Sequence, residues 1–166
     1  MAIDYPDRRD VAPLTNELAQ TVLGFRVGEL GFLLPASLHC EVIERLPVNP
    51  IPNVEPWFSG LLNIRGNIVP VVDLHCLLGA NPGKKRYLFA VDRGDKTVAL
   101  WIDGYPQILT GPDHSLQVLE ALPILPERLQ RYVTGAYLCS GQAWLSLQFG
   151  QLFKALGRGH TAKETA

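Results

Sequence analysis

Charge of either sign is scarce in this chain. Of 166 residues only 19% are charged, 15 basic against 16 acidic, for a formal net charge of −1. A nucleic-acid binder that works through a broad basic face needs a cationic excess that is missing here. Cysteine is scarce too: Cys40, Cys76 and Cys139 are widely spaced, with no C-x-x-C pair. An odd, scattered set fits reduced thiols in a cytosol rather than a disulfide framework. No run approaches the roughly 18 consecutive apolar residues that span a bilayer, so no membrane insertion is expected. The opening Met1-Ala2-Ile3-Asp4-Tyr5-Pro6-Asp7 is acidic and broken by proline. It has no cationic stretch leading into an apolar one and predicts no export signal, hence a cytoplasmic protein.

Catalytic motifs are missing as well. Gly79-Ala80-Asn81-Pro82-Gly83-Lys84 has neither the frame nor the residues of a phosphate-cradling loop, and no G-x-S-x-G elbow occurs. Ser37, Ser59, Ser115, Ser140 and Ser146 have no evident base near them in sequence. No catalytic residue, metal ligand or cofactor is therefore assigned. The one tempting metal reading rests on two identical dipeptides, His39-Cys40 and His75-Cys76, with His114 and Cys139 elsewhere. Such ligands suit zinc. Neighbouring residues on a strand point to opposite faces, however, so one dipeptide rarely supplies two ligands. Buried cysteine is also a common small core residue.

What is plentiful is apolar side chain, 47% of the chain, together with 15 glycines and 13 prolines. The apolar fraction excludes a disordered chain. A single domain of this length buries about 70% of its unfolded surface and needs no disulfide staple. Residues 1–20 mix charge, proline and weak helical spacing and read as a mobile tail. Residues 158–166 are small and polar and read as a disordered end.

Between these ends the pattern is mostly period two. Residues 22–35 read as a strand, a tight turn at Gly28-Glu29 and a second strand. Residues 86–103 read as another hairpin, turning at Asp92-Arg93-Gly94-Asp95-Lys96. Short helices are predicted at Leu74–Leu78 before Gly79, at Phe149–Leu156 before Gly157, and at Leu116–Leu122 before Pro123.

The segment Gly60 to Leu74 can be laid without a gap on Gly135 to Phe149, so that Gly60 meets Gly135 and Gly66 meets Gly141. Each copy follows a hairpin and precedes a short helix. The chain thus reads as hairpin, connector, hairpin and helix, performed twice, with two small β units packed together to make one core. Gly66-Asn67 and Gly141-Gln142 look like hairpin turns, where glycine takes positive φ without a Cβ clash. Gly66, Gly135 and Gly141 are accordingly expected to be structural turn residues. Pro70 inside Val69-Pro70-Val71 cannot donate a ladder hydrogen bond and predicts an edge or a bulge.

Residues 46–79 carry only Glu55, Arg65 and Asp73 as formal charges, with prolines at 47, 50, 52, 56 and 70. A stretch so poor in charge must be buried or meet a partner. Trp57 after Pro56 reads either as an exposed binding platform or as a lid on the core. Arg65 stands in an otherwise apolar segment; it either pairs with Glu41 or is simply solvated.

Several segments together resemble a known family. They are Glu41-Val42-Ile43, then Pro50-Ile51-Pro52-Asn53, then Trp57-Phe58-Ser59-Gly60-Leu61-Leu62-Asn63-Ile64-Arg65-Gly66-Asn67-Ile68-Val69-Pro70-Val71-Val72-Asp73-Leu74. They resemble the CheW-like coupling domain of bacterial chemotaxis, whose signature is a G-x-x-N-L-R-G segment, an apolar strand with proline, then Asp-Leu. Val98 to Asp103 and Tyr132 to Phe153 are similar to later parts of that domain, so the resemblance covers residues 21–157.

The resemblance implies a mainly β fold of two packed five-stranded SH3-like barrels with short helices. The first barrel would come mostly from residues 36–85 and the second from 86–150, with strands exchangeable between the halves. It implies a non-enzymatic adaptor that joins the cytoplasmic tip of a chemoreceptor to a CheA-type histidine kinase. Glu41, Arg65, His39, Trp57, Gly60 and Asn63 are the partner-binding positions it suggests. Gln148 and Phe149 depart from the family's acidic residue and leucine, and His39 stands where an aliphatic residue is usual. The chain resembles divergent adaptors of pilus-associated (twitching) systems at least as much as a flagellar one. The alternative kept open is a small-ligand- or metal-binding β-barrel.

Overall fold

The computed structural model describes residues 22–35, 37–83, 85–109 and 116–165, with side chains as far as Gly157. The stretch 1–20, His114 and the side chains of 158–166 lie outside the described residues.

Among the described residues ten strands carry the fold: β1 (Leu23–Val27), β2 (Leu30–Leu34), β3 (Cys40–Ile43), β4 (Phe58–Ile64), β5 (Asn67–Val72), β6 (Arg86–Val91), β7 (Val98–Ile108), β8 (Gln117–Val118), β9 (Val133–Cys139) and β10 (Gln142–Leu147). Among the described residues three helices complete it: α1 (Leu74–Leu78), α2 (Glu127–Gln130) and α3 (Phe149–Thr165).

The strands sort into two curved SH3-like units. β3, β6, the first half of β7, β5 and β4 make one; β1, β2, β10, β9 and β8 make the other. Neither unit closes into an unbroken ring of ladders. β7 belongs to both. Its first half pairs with β6 as far as Asp103 opposite Arg86, and its second half pairs with β1, where Asp103 stands opposite Arg26. The early hairpin β1–β2 lies against the last hairpin, because β10 runs parallel to β2. The β6–β7 hairpin lies against the middle one, because β5 runs parallel to β7. That parallel ladder starts at Val71, one residue after Pro70, so the missing proline N–H is not required there.

The internal repeat has a geometric counterpart. β4–β5 and β9–β10 are both antiparallel hairpins closed by two-residue turns. Arg65 and Gly66 have φ of 49° and 86°; Ser140 and Gly141 have 51° and 76°. Two successive left-handed residues form the turn whose twist matches that of the flanking strands. The Asp73 N–H donates to the Trp57 carbonyl (2.7 Å) and the Gln148 N–H to the Tyr132 carbonyl (2.9 Å), each joining the end of its hairpin to the segment before it.

Both turns sit one residue earlier than the sequence pattern suggested. Asn67 pairs with Ile64 and Gln142 with Cys139, so Asn67 and Gln142 are strand residues. Gly135 is not a turn residue: it lies inside β9, where an added Cβ would sit 3.1 Å from the Ser146 hydroxyl oxygen.

Period-two alternation divides the apolar residues among three layers. Ile43, Leu62, Ile64, Val69, Val71, Leu88, Ala90 and Ala99 fill the first unit. Val22, Leu33, Leu109, Tyr137, Cys139 and Trp144 fill the second. The largest cluster lies between them and draws on both, with Phe25, Phe32, Leu34, Val72, Phe89, Leu100, Ile102, Leu145 and Phe149 among its members. In β6, Leu88 and Ala90 face inward while Phe89 and Val91 face the other unit. A strand buried on both faces reads as a nearly continuous apolar run. That is why these segments carry so little charge.

A polar knot crosses the junction beside that layer. The His75 ring on α1 is buried, with Nε2 2.8 Å from Asp103 Oδ2 and Nδ1 3.4 Å from Asp73 Oδ1. Asp103 also accepts the Gly28 N–H at 2.7 Å, from the β1–β2 turn of the other unit. Arg86 donates to Asp73 at 3.0 Å. Burial pushes the Asp103 carboxyl up, but the hydrogen bonds from Gly28, His75 and Gly83 outweigh it and leave the group below its ordinary range.

The helix expectations met different fates. α1 ends at Gly79, whose φ of 69° lets the Gly79 and Ala80 N–H groups cap the final turn. α3 instead runs through Gly157, which is absent from the positive-φ residues, and on to Thr165. Its Phe149, Leu152 and Leu156 face the central layer. The predicted helix at Leu116–Leu122 does not form. β8 lies there instead, pairing with β9, and Leu119 N–H donates to the Ala136 carbonyl at 2.8 Å. Satisfying the open edge of β9 outweighs local helical spacing. α2 is a single turn that is not among the predicted helices.

Close packing at the second unit is testable. An added Cβ at Gly31 would sit 2.2 Å from Cε3 of Trp144, which is 1% exposed and has no room to retreat. Gly31→Ala is expected to destabilise the fold by about 1–3 kcal/mol. A lowered urea midpoint at unchanged denaturant sensitivity would report this.

Candidate functional site

The site grows from the β4–β5 turn. Asn63 Oδ1 accepts the Gly66 N–H at 3.0 Å, which bridges the turn and holds Arg65 at its apex. From there the Arg65 guanidinium reaches β3 and grips both carboxylate oxygens of Glu41, with Nη1 3.5 Å from Oε2 and the Nη2–Oε1 contact closer. Two N–H donors on two carboxylate oxygens fix orientation as well as charge. The Arg65 side chain keeps 69% of its accessible surface and that of Glu41 32%, so the pair is presented to solvent and screened by it. The hydrogen bond from Arg65 holds the Glu41 carboxyl below the ordinary glutamate range.

Around the pair lies an open depression of about 270 Å³, walled by His39, Glu41, Arg65, Asn67, Asp92 and Arg93. His39 is exposed beside Glu41, and its carbonyl accepts the Asp92 N–H at 2.8 Å. The β6–β7 turn thereby becomes the opposite wall. The structure thus brings together His39, Glu41 and Arg65, with Asn63 shaping the turn that carries Arg65.

Trp57 and Gly60 fall elsewhere. Trp57 is 5% exposed and packed in the central layer, so of its two readings the core lid holds and the exposed platform does not. Gly60 is buried at a bulge of β4 with φ 144°, where an added Cβ would meet the Asn49 carbonyl oxygen at 2.2 Å. It lets the Pro-rich connector lie flat on β4 through the Asn49–Leu61 bridge. In the sequence Asp92 and Arg93 stand out only as hairpin-turn chemistry. Their sign was the density of charge in one short turn of a charge-poor chain.

The other dipeptide is occupied structurally: His75 is in the polar knot, while Cys76 is exposed on α1. Among the described residues, no group of three His, Cys, Asp or Glu side chains is arranged to hold a metal ion. No helix among them is long and apolar enough to cross a membrane.

Comparison with known proteins matches residues 21–157 to the CheW-like domain. The chain belongs to the CheW-like domain family. It is 30% identical over 150 residues to protein PilI of Pseudomonas aeruginosa, covering 86% of this chain and 83% of PilI. It is 29% identical over 107 residues to the chemotaxis protein CheW of Rhizobium meliloti, covering 63% of this chain and 68% of that one. In fold it is similar to the scaffolding protein TtCheW of Thermoanaerobacter tengcongensis, with a TM-score of 0.63 at 20% identity over 81% of this chain and 92% of TtCheW. Within this CheW-like domain, Asn63-Ile64-Arg65-Gly66 is the apex of the β4–β5 hairpin.

The state of Glu41 can be checked directly. Its folded pKa is lowered, so the ion pair is fully formed above the ordinary glutamate range and is lost as pH falls through that lowered value. A side-chain carboxyl NMR titration is expected to place the Glu41 midpoint below that of ordinary glutamates, and Arg65→Met to move it back up. A midpoint unmoved by that substitution would show that Arg65 is not its cause.

Proposed function

We propose that this chain is a non-enzymatic chemosensory adaptor that couples chemoreceptors to a CheA-type histidine kinase in the cytoplasm. Membership of the CheW-like domain family supports the reading. The observation that carries it is the solvent-facing Glu41–Arg65 pair, held on a short, stiff turn beside a shaped depression. A coupling protein needs its binding faces at fixed distance and angle. Two units sharing one apolar layer supply that rigidity, and pre-set surfaces lose less entropy on docking. The role of the pair is orientation and selection of the partner more than raw affinity, as with charged groups at interfaces in general.

A pilus-associated pathway is the variant we favour. The alignment with PilI spans 86% of this chain, against 63% for the Rhizobium meliloti chemotaxis protein.

The test is co-purification of the full chain with the CheA-type kinase and the chemoreceptor encoded in the same cell. The unmodified chain is expected to retain at least one of them. Arg65→Glu places two carboxylates together at the depression and is expected to weaken capture by about tenfold or more, with the circular dichroism spectrum and melting curve unchanged. Full capture by the Arg65→Glu protein would count against this face as the binding site.

A further inference from the structure

Asp92 lines a second, larger hollow besides the Glu41–Arg65 depression, an open groove of about 720 Å³ between the first unit and α3. Leu38, Val98 and Phe153 give it apolar walls that stay partly exposed, together with buried Phe149. Its rim carries charge of both signs, Asp92 against Lys96 and Lys154, so charge does not decide what fits it. Apolar side chains left half-open in a concave surface call for an apolar cover.

The described chain begins close to this groove. β1, β2 and β10 lie side by side. Leu23 stands opposite Leu34, which brings Val22 level with Pro35. Ser146 stands opposite Leu33, which brings Gln148 level with Pro35 as well. Both neighbours lead into the groove walls. Leu38 follows Pro35 in a turn, with its N–H donating to the Pro35 carbonyl at 3.0 Å, and Gln148 and Phe149 mark the start of α3. Adjacent strands are about 4.8 Å apart, so the start of β1 is two spacings, about 10 Å, from the wall at Gln148.

Residues 1–20 precede that point and lie outside the described residues. Their two halves differ in composition. Residues 1–10 hold Asp4, Asp7, Arg8, Arg9 and Asp10, whereas residues 11–20 carry Glu17 as their one formal charge. Val11, Leu14 and Leu18 recur there at intervals of three and four, the spacing with which an amphipathic segment fills an apolar groove. Ten residues reach about 15 Å as a helix and about 33 Å when extended, enough to cross the groove from the start of β1. Tethering makes the contact intramolecular, at an effective concentration on the order of mM.

We propose that residues 11–20 dock in this groove of their own chain, with Leu14 and Leu18 against Leu38, Val98 and Phe153. For these residues docking replaces the free tail expected from composition. It needs no other protein, and so goes beyond the adaptor reading without resting on it.

The test is methyl NMR on the full chain. In the unmodified protein, NOEs are expected between the methyls of Leu14 or Leu18 and those of Leu38 or Val98. In the Leu14→Asp, Leu18→Asp double variant these NOEs are expected to vanish and the Leu38 and Val98 methyl resonances to move. The methyls of Leu62 and Val69, buried inside the first unit, should stay in place and report an intact fold. Absence of the NOEs from the unmodified chain, or groove methyls unmoved by the double substitution, would overturn the proposal. A mixture of two differently labelled copies identifies the other occupants: NOEs found only between copies replace the intrachain contact with a dimer. Groove methyls that move only when a purified chemoreceptor is added assign the groove to that protein instead.

Discussion

The apolar layer between the two units is the constraint on which the rest of the molecule depends. It forms because β6–β7 is apolar on both faces, and because β1–β2 turns Phe25, Val27, Phe32 and Leu34 to the opposite unit while Leu33 enters its own unit's interior. β1–β2 does not pair with β4–β5, the hairpin that follows it in sequence. β1–β2 joins β9–β10 at the far end of the chain, and β6–β7 joins β4–β5. The exchange makes the two units interdependent, since each is completed by strands from the other half of the chain. β7 enforces it by running through both, and the His75–Asp103–Gly28 contacts tie the junction on its polar side.

That rigidity gives the surface its meaning. Arg65 is one of few charges in a long, charge-poor stretch, and the turn places it over Glu41 rather than in open solvent. An exposed ion pair contributes little to stability. Its value in the proposed adaptor lies in geometry: two forked groups held in one orientation at the rim of a hollow.

Much of this was legible in the residues. Period-two alternation located both early hairpins, and the repeated Gly60–Gly66 and Gly135–Gly141 spacing located the matching β4–β5 and β9–β10 pairs. The Gly79 stop marked the end of α1 because helix capping is local chemistry. Legibility failed where a distant strand supplied the deciding contact. Residues 116–122 have helical spacing, yet the open edge of β9 draws them into β8. Gly157 resembles a helix stop, yet packing of Phe149, Leu152 and Leu156 on the central layer carries α3 past it. Trp57 was balanced between two readings because sequence does not reveal which layer a lone aromatic enters. The turn at Arg65-Gly66 was misplaced by one residue because register is set by the partner strand.

The sequence by itself therefore determined the four hairpin segments, the helix at Leu74–Leu78, the duplicated plan and the short list of charges available for recognition. These follow from local periodicity and from counting. Tertiary structure alone decided which hairpin completes which unit, that Trp57 and Gly60 are internal, and that Arg65 faces Glu41 across one wall of the depression. Those outcomes depend on contacts between residues far apart in the chain, whose free energies no local pattern encodes.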